Sequence, residues 1–151
     1  MGQTQSLSTE IEIQASPATV RSVFLDFPQY KQWSTWTIEP IGTDKKPSEL
    51  NTEDRVKVDM KGTVFRPLMM ENSTDTFAWE GSLYGLLVGK HEFHFSPSKK
   101  NPGGTTMIQI ENFRGLLAFM FAPGWSGRES TLKNWNEFFA DLKKEVEKSS
   151  S

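Results

Sequence analysis

Glu129–Lys148, ESTLKNWNEFFADLKKEVEK, is the stretch that decides the fold. Leu132, Trp135, Phe139, Leu142 and Val146 advance by three, four, three and four positions, which sets them on one stripe of a 3.6-residue spiral. Lys133, Glu137, Lys143, Lys144, Glu147 and Lys148 fall largely outside that stripe, so the segment reads as one helix with a wet face and an aromatic dry face. A dry face of this kind needs a large apolar surface against it. The chain upstream reads mostly as strands, and a sheet wrapped around one long helix is either solid inside or encloses a cavity. Function turns on which.

Working back from the helix, Thr105–Phe113 is the longest strand, and it follows a polar hairpin loop over residues 96–104. Lys90–Phe95 places His91, Phe93 and Phe95 on one face. Thr76–Gly81 places Phe77 and Trp79 together, and Gly85–Gly89 reads as a mobile connection. Arg55–Met60 alternates with Val56, Val58 and Met60 inward, and Lys61-Gly62 reverses the chain into Thr63–Met70. Pro67 there predicts an edge position or a bulge. Thr37–Ile41 is a brief strand, followed by a solvated loop over residues 42–52. Near the start, Ile11 and Ile13 alternate with Glu10, Glu12 and Gln14. Ser16-Pro17 then opens a short helix with Val20, Val23 and Phe24 on its apolar edge. A second helical turn over residues 29–33 turns Tyr30 and Trp33 inward. The order is strand, two short helices, about six more strands and a long helix, an α+β fold with an antiparallel sheet. Residues 1–8 read as a flexible N-terminus, 9–148 as a single domain and 149–151 as a disordered tail.

Composition narrows the function. A chain of 151 residues is expected to form one domain that buries roughly 70% of its unfolded surface. With 17 basic and 19 acidic residues there is no nucleic-acid footprint. Cysteine is absent, which removes disulfides, thiolate metal sites and thiol nucleophiles. No early apolar stretch reads as a secretory signal, which leaves a cytoplasmic location as the expectation. The longest apolar run, Leu116–Phe121, is far below the ~20 residues that cross a bilayer. Eleven Phe and five Trp in a chain with 36% hydrophobic residues suit a lined pocket as well as a packed core.

Four stretches carry a family resemblance: residues 11–17 running into Val20 and Val23; residues 26–33, DFPQYKQW; residues 77–81, FAWEG; and residues 89–95, GKHEFHF, followed by 105–117. With the terminal helix they cover nearly everything from Thr9 onward. In these the chain resembles the START-like (SRPBCC) superfamily with its helix-grip fold, in the polyketide cyclase-like branch. The resemblance implies a curved antiparallel sheet of six or seven strands gripping the C-terminal helix, with an apolar cavity between them. Its lining is then expected from the concave strand faces, the two short helices and the dry stripe of the last helix. The implied partner is an apolar small molecule, lipid-, sterol- or polyketide-like. The fold hosts carriers, receptors and a few enzymes.

His91 and His94 are the only histidines. They stand three apart on a strand, so they point to opposite sides and do not form a zinc pair; no metal or cofactor is expected. His91 is either a pocket residue or a hydrogen-bonded inner-face residue. Gln109 and Glu111 share a face with Met107 and Phe113. Either that face is buried, making Glu111 an acid/base or anchoring candidate with a raised pKa, or Ile108 and Ile110 are inside and both polar groups meet water. The catalytic candidates are therefore Glu111 and His91. The candidate ligand-binding set adds Phe24, Trp33, Trp36, Val58, Phe65, Trp79, Phe93, Gln109, Phe119 and Trp135, for which a filled core is the competing reading. Phe119, Phe121 and Trp125 beside Pro123-Gly124 form either a lid or the seal of the core's edge, and a protein-interaction patch is a third functional reading. Met1-Gly2-Gln3-Thr4-Gln5-Ser6 matches a myristoylation pattern, with no Lys or Arg before Arg21 to reinforce it.

Overall fold

The computed structural model describes residues 3–148. β1 (Gln3–Ile13) leads into α1 (Pro17–Leu25) and α2 (Tyr30–Trp33). There follow β2 (Trp36–Ile41), β3 (Arg55–Met60), β4 (Thr63–Phe65), β5 (Leu68–Asn72), β6 (Thr76–Leu83), β7 (Leu87–Pro97), β8 (Thr105–Gly115) and α3 (Ser126–Lys148). All pairings are antiparallel, in the order β1-β8-β7-β6-β5-β3-β2, with β4 also beside β3. β4 and β5 are the two halves of one strand interrupted at Arg66-Pro67. Proline has no N–H to give to the ladder, and only its carbonyl takes part, accepting from Val56 N at 3.2 Å. The sheet is thus effectively seven-stranded and curls around α3.

Local chemistry sets the elements. Ser16 Oγ accepts from Thr19 N at 3.2 Å and Pro17 occupies the first turn, which starts α1. On α3, Trp135, Phe138, Phe139, Leu142 and Val146 are buried and Leu132 is half-buried. Phe138, outside the sequence-derived stripe, stacks on Trp36 at 3.9 Å with an interplanar angle of 8°. Trp36 Nε1 donates to Asn134 Oδ1 at 2.8 Å, and Asn134 Nδ2 donates to the Met60 carbonyl at 3.1 Å, which ties the helix to β2 and β3.

Half of the interior is solid. Phe24 on α1 makes ring contacts with Phe27, Phe77, Phe93, Phe95 and Phe138 at 4.8–6.3 Å. The Tyr30 hydroxyl donates to the Phe24 carbonyl, satisfying a buried polar group. The short helices therefore plug one end of the curled sheet with interlocked aromatics.

Two expectations are corrected here. Gln3–Ser8, expected to be loose, form the first half of β1 and pair with Gly115–Ile110, with Leu7 fully buried. Their polar side chains suit an edge strand whose ladder uses only backbone groups, and without them half of β8 would be an open edge. The Gly2 of the acylation pattern and the 149–151 tail lie outside the described residues. Gly85–Gly89 is not a loose connection. Tyr84 (φ 52°) and Gly85 (φ 73°) make a two-residue reversal closed by Leu86 N donating to Leu83 O at 2.9 Å, and β7 begins at Leu87.

Candidate functional site

The alternation of β8 resolves which face is inside. It runs in unbroken register against both β1 and β7, so no bulge switches its faces. Thr105, Met107, Gln109 and Phe113 are buried, Glu111 follows the same parity, and Ile108 and Ile110 lie half-buried on the outer face. Across the ladder, His91 stands opposite Glu111 and Gly89 opposite Phe113.

These residues form a directional polar chain inside an aromatic box. His91 is 1% exposed, stacked on Phe93 at 4.4 Å, against Trp135 at 4.7 Å and edge-on to Trp79 at 5.4 Å. Gln109 Nε2 donates to the Trp135 carbonyl at 3.4 Å, and since a carbonyl only accepts, the amide oxygen is turned towards His91. Gln109 Oε1 and His91 Nε2 are 2.9 Å apart, so Nε2 carries the proton and Nδ1 presents a lone pair. That lone pair faces Glu111 Oε1 at 3.6 Å, longer than a formed hydrogen bond but within reach of a small side-chain movement. Burial pushes the His91 imidazole down to about 3, partly opposed by its bond to Gln109, and pushes the Glu111 carboxyl up to about 8. At neutral pH both groups are uncharged, and the acid is the natural donor towards Nδ1.

The Glu111 side chain keeps 16% of its surface exposed, and that edge lies on a cavity of about 280 Å³ between the sheet and the N-terminal half of α3. Its walls are Met60, Thr63 and Phe65 from β3–β4, Leu83, Leu87 and Gly89 from β6–β7, and Trp135 with Thr131 from α3. Phe113 and Phe121 close one side, stacked at 3.9 Å with their planes 3° apart. Gly89 leaves the space that the Glu111 carboxyl occupies: a Cβ there would collide with Oε2 and push the side chain aside. A shallow groove on the outer side of α3 is built by that helix alone and offers no opposing wall.

Of the residues singled out in the sequence, Phe65, Glu111 and Trp135 line this cavity, and His91 and Gln109 sit directly behind Glu111 and Trp135. Phe24, Trp36, Val58, Trp79 and Phe93 are buried in the core and do not line it. Trp79 leaves its buried Nε1–H without an acceptor. Trp33 is half-buried against Tyr30 and Phe138, and Phe119 lies on the outside, edge-on to Trp125 at 5.3 Å. The short helices do not reach the cavity, contrary to expectation, because their aromatic side chains fill the opposite end. Leu83, Leu87, Gly89 and Thr131 were not singled out in the sequence; Phe113 carried a signal in its shared parity with Glu111, Met60 in its alternation with Val56 and Val58, and Phe121 in the cluster read as a lid or edge seal. His94 lies on the outer side of β7, bonded to Thr76 Oγ1 at 3.1 Å and Glu92 at 3.1 Å. Among the described residues no cluster of three or more His, Asp or Glu side chains is placed to hold a metal.

A curled antiparallel sheet around one long helix, hollow at one end, defines the START-like helix-grip class. The chain belongs to the polyketide cyclase/dehydrase and lipid transport family, whose model matches residues 4–147. No curated protein matches. Among solved structures it is similar to hypothetical protein jhp0584 from Helicobacter pylori (15% identity, 94% of this chain and 88% of that one, TM-score 0.73). It is also similar to norcoclaurine synthase from Thalictrum flavum (10% identity, 99% and 90%, TM-score 0.70). A START superfamily protein from Mycobacterium smegmatis shares 18% identity over 95% and 97% of the two chains, with a TM-score of 0.64. At these identities the likeness concerns the fold.

Proposed function

We propose that the protein binds a compact, largely apolar small molecule in the cavity between β3–β8 and α3, with Glu111 as its polar anchor. The observation that carries this reading is one carboxyl group, held neutral by burial, on the wall of a largely apolar cavity of about 280 Å³. That volume is at the lower limit of small-molecule sites, which run from about 300 to 1,000 Å³. It suits a guest of one or two rings or a short acyl chain, and a sterol or two-chain lipid would need the walls to part. The family's breadth, from cyclisation to lipid transport, is compatible with a carrier. The test is a size-graded panel of phenols, bicyclic aromatics, fatty acids and sterols, read by melting temperature and native mass spectrometry. Compact guests should raise the melting temperature, and Glu111→Ala should weaken their binding. A panel in which no compact guest binds would sink the proposal.

The polar chain supports a second reading, an enzyme of the cyclase or dehydratase type. A neutral acid facing an imidazole lone pair is suited to passing a proton to or from a guest held against Glu111. Glu111→Gln and His91→Ala separate the readings: loss of turnover with guest binding retained favours the enzyme, and no effect of either variant on turnover or binding removes these two residues from consideration.

A further inference from the structure

Seven of the ten exposed large apolar side chains among the described residues lie at one end of the molecule. The β6–β7 reversal carries Leu83, Tyr84 and Leu86. The segment between β8 and α3 carries Leu116, Phe119, Met120 and Trp125. The two are joined: Leu117 N donates to the Leu86 carbonyl at 2.9 Å, and Phe119 packs on Trp125. Leu116 is 65% exposed and Tyr84 93%. Tyr84 holds a left-handed backbone (φ 52°), where a bulky side chain is disfavoured, at the tip itself. An apolar cluster of this kind on a single chain marks a contact surface.

Charge identifies the occupant. Residues 81–90 and 113–128 contain no Asp or Glu and contribute Lys90, Arg114 and Arg128, in a chain whose net charge is −2. Of these, Arg114 is paired with Glu80 at 3.3 Å, and exposed Glu129 follows Arg128, so the border keeps a small positive excess. Apolar and aromatic tips, themselves free of acid and bordered by a small positive excess, complement an anionic lipid surface, where Tyr and Trp settle at headgroup depth and cations meet the phosphates. Leu83 also lines the cavity, and so does Phe121 beside the Phe119–Met120 pair, so the patch adjoins one side of the cavity. We infer that this end, the β6–β7 tip with the β8–α3 segment, is a reversible docking surface for an anionic lipid bilayer. The inference stands apart from guest binding, since it rests on the outer surface.

The test is co-sedimentation of the full chain, without added guest, with phosphatidylcholine vesicles that contain or lack phosphatidylserine. Binding should require phosphatidylserine, weaken as salt is raised, and fall by about tenfold or more in a Tyr84→Ser/Trp125→Ser variant. These side chains are exposed, and an unchanged melting temperature checks that the variant is folded. Bromine-labelled lipid should quench Trp125, whereas Trp36, Trp79 and Trp135 are buried. Absence of vesicle binding, or binding that the double variant leaves intact, overturns the inference. So does concentration-dependent self-association that the variant abolishes, which would make a second copy the occupant. A negative result leaves the cavity reading untouched, and a guest-free cavity would not alter the vesicle result.

Discussion

Glu111 and His91 move the stability of the fold in opposite directions with pH. The Glu111 carboxyl is raised from 4.5 to about 8, so the folded state holds a proton that the unfolded chain has released, and stability falls as pH rises across that window. The His91 imidazole is lowered from 6.5 to about 3, so the unfolded chain takes the extra proton, and stability falls as pH drops through that range. Each contributes about 1.4 kcal/mol per pH unit while one proton separates the states. Between pH 4.5 and 6.5 the two slopes cancel, and between 6.5 and 8 only the Glu111 slope remains, a loss of about 2 kcal/mol. Glu111→Gln should abolish that loss and leave the His91 slope unopposed between pH 4.5 and 6.5, so that stability there rises with pH instead of staying level. Urea unfolding of both proteins at several pH values from 5 upward measures it, and parallel profiles would contradict the burial of the acid. The tautomer makes a second expectation: imidazole nitrogen shifts should report the proton on Nε2 of His91, and Gln109→Met, which removes the accepting oxygen, should lose that assignment.

α3 shows how much of the fold was legible and where reading stopped. Trp135, Phe139, Leu142 and Val146 were placed correctly because a buried helix face repeats with the helical period. Phe138 was missed because a curled sheet covers more than one narrow stripe, and its partner, Trp36, is about a hundred residues away in sequence. The face of β8 was illegible for a different reason: Met107-Gln109-Glu111-Phe113 and Ile108-Ile110 both alternate acceptably, and only pairing with β1 and β7 selects between them. The cavity was least legible, since its rim comes from turns and from Gly89, whose role is the space it leaves for Glu111. The difference between stripe and contact has a measurable consequence. Phe138→Ala should cost about 3–5 kcal/mol, as for a buried aromatic, and Leu132→Ala, half-buried, clearly less. Urea midpoints order the two, and equal costs would mean that the Trp36–Phe138 stack contributes little.

Across the whole molecule, one end is packed aromatic ring against aromatic ring and the other is left hollow, and stability and binding should divide along that line. The packed end supplies the core that α1, α2 and the middle of the sheet share. The hollow end forgoes contacts that a filled interior would make, which is the expected cost of keeping a site open. Thr131 stands on the first turns of α3 and lines the cavity without being fully buried. Thr131→Leu adds apolar volume into that space and improves helix propensity, so the melting temperature should rise, with a gain on the order of 0.5–2 kcal/mol. The same added volume must come out of a cavity of only about 280 Å³, so affinity for any guest that raises the wild-type melting temperature should fall by about tenfold or more. Calorimetric unfolding and titration of one sample series read both effects together. A variant that is stabilised and still binds its guest with undiminished affinity would place the binding site elsewhere. One that is destabilised would mean that the space beside Thr131 closes up in solution.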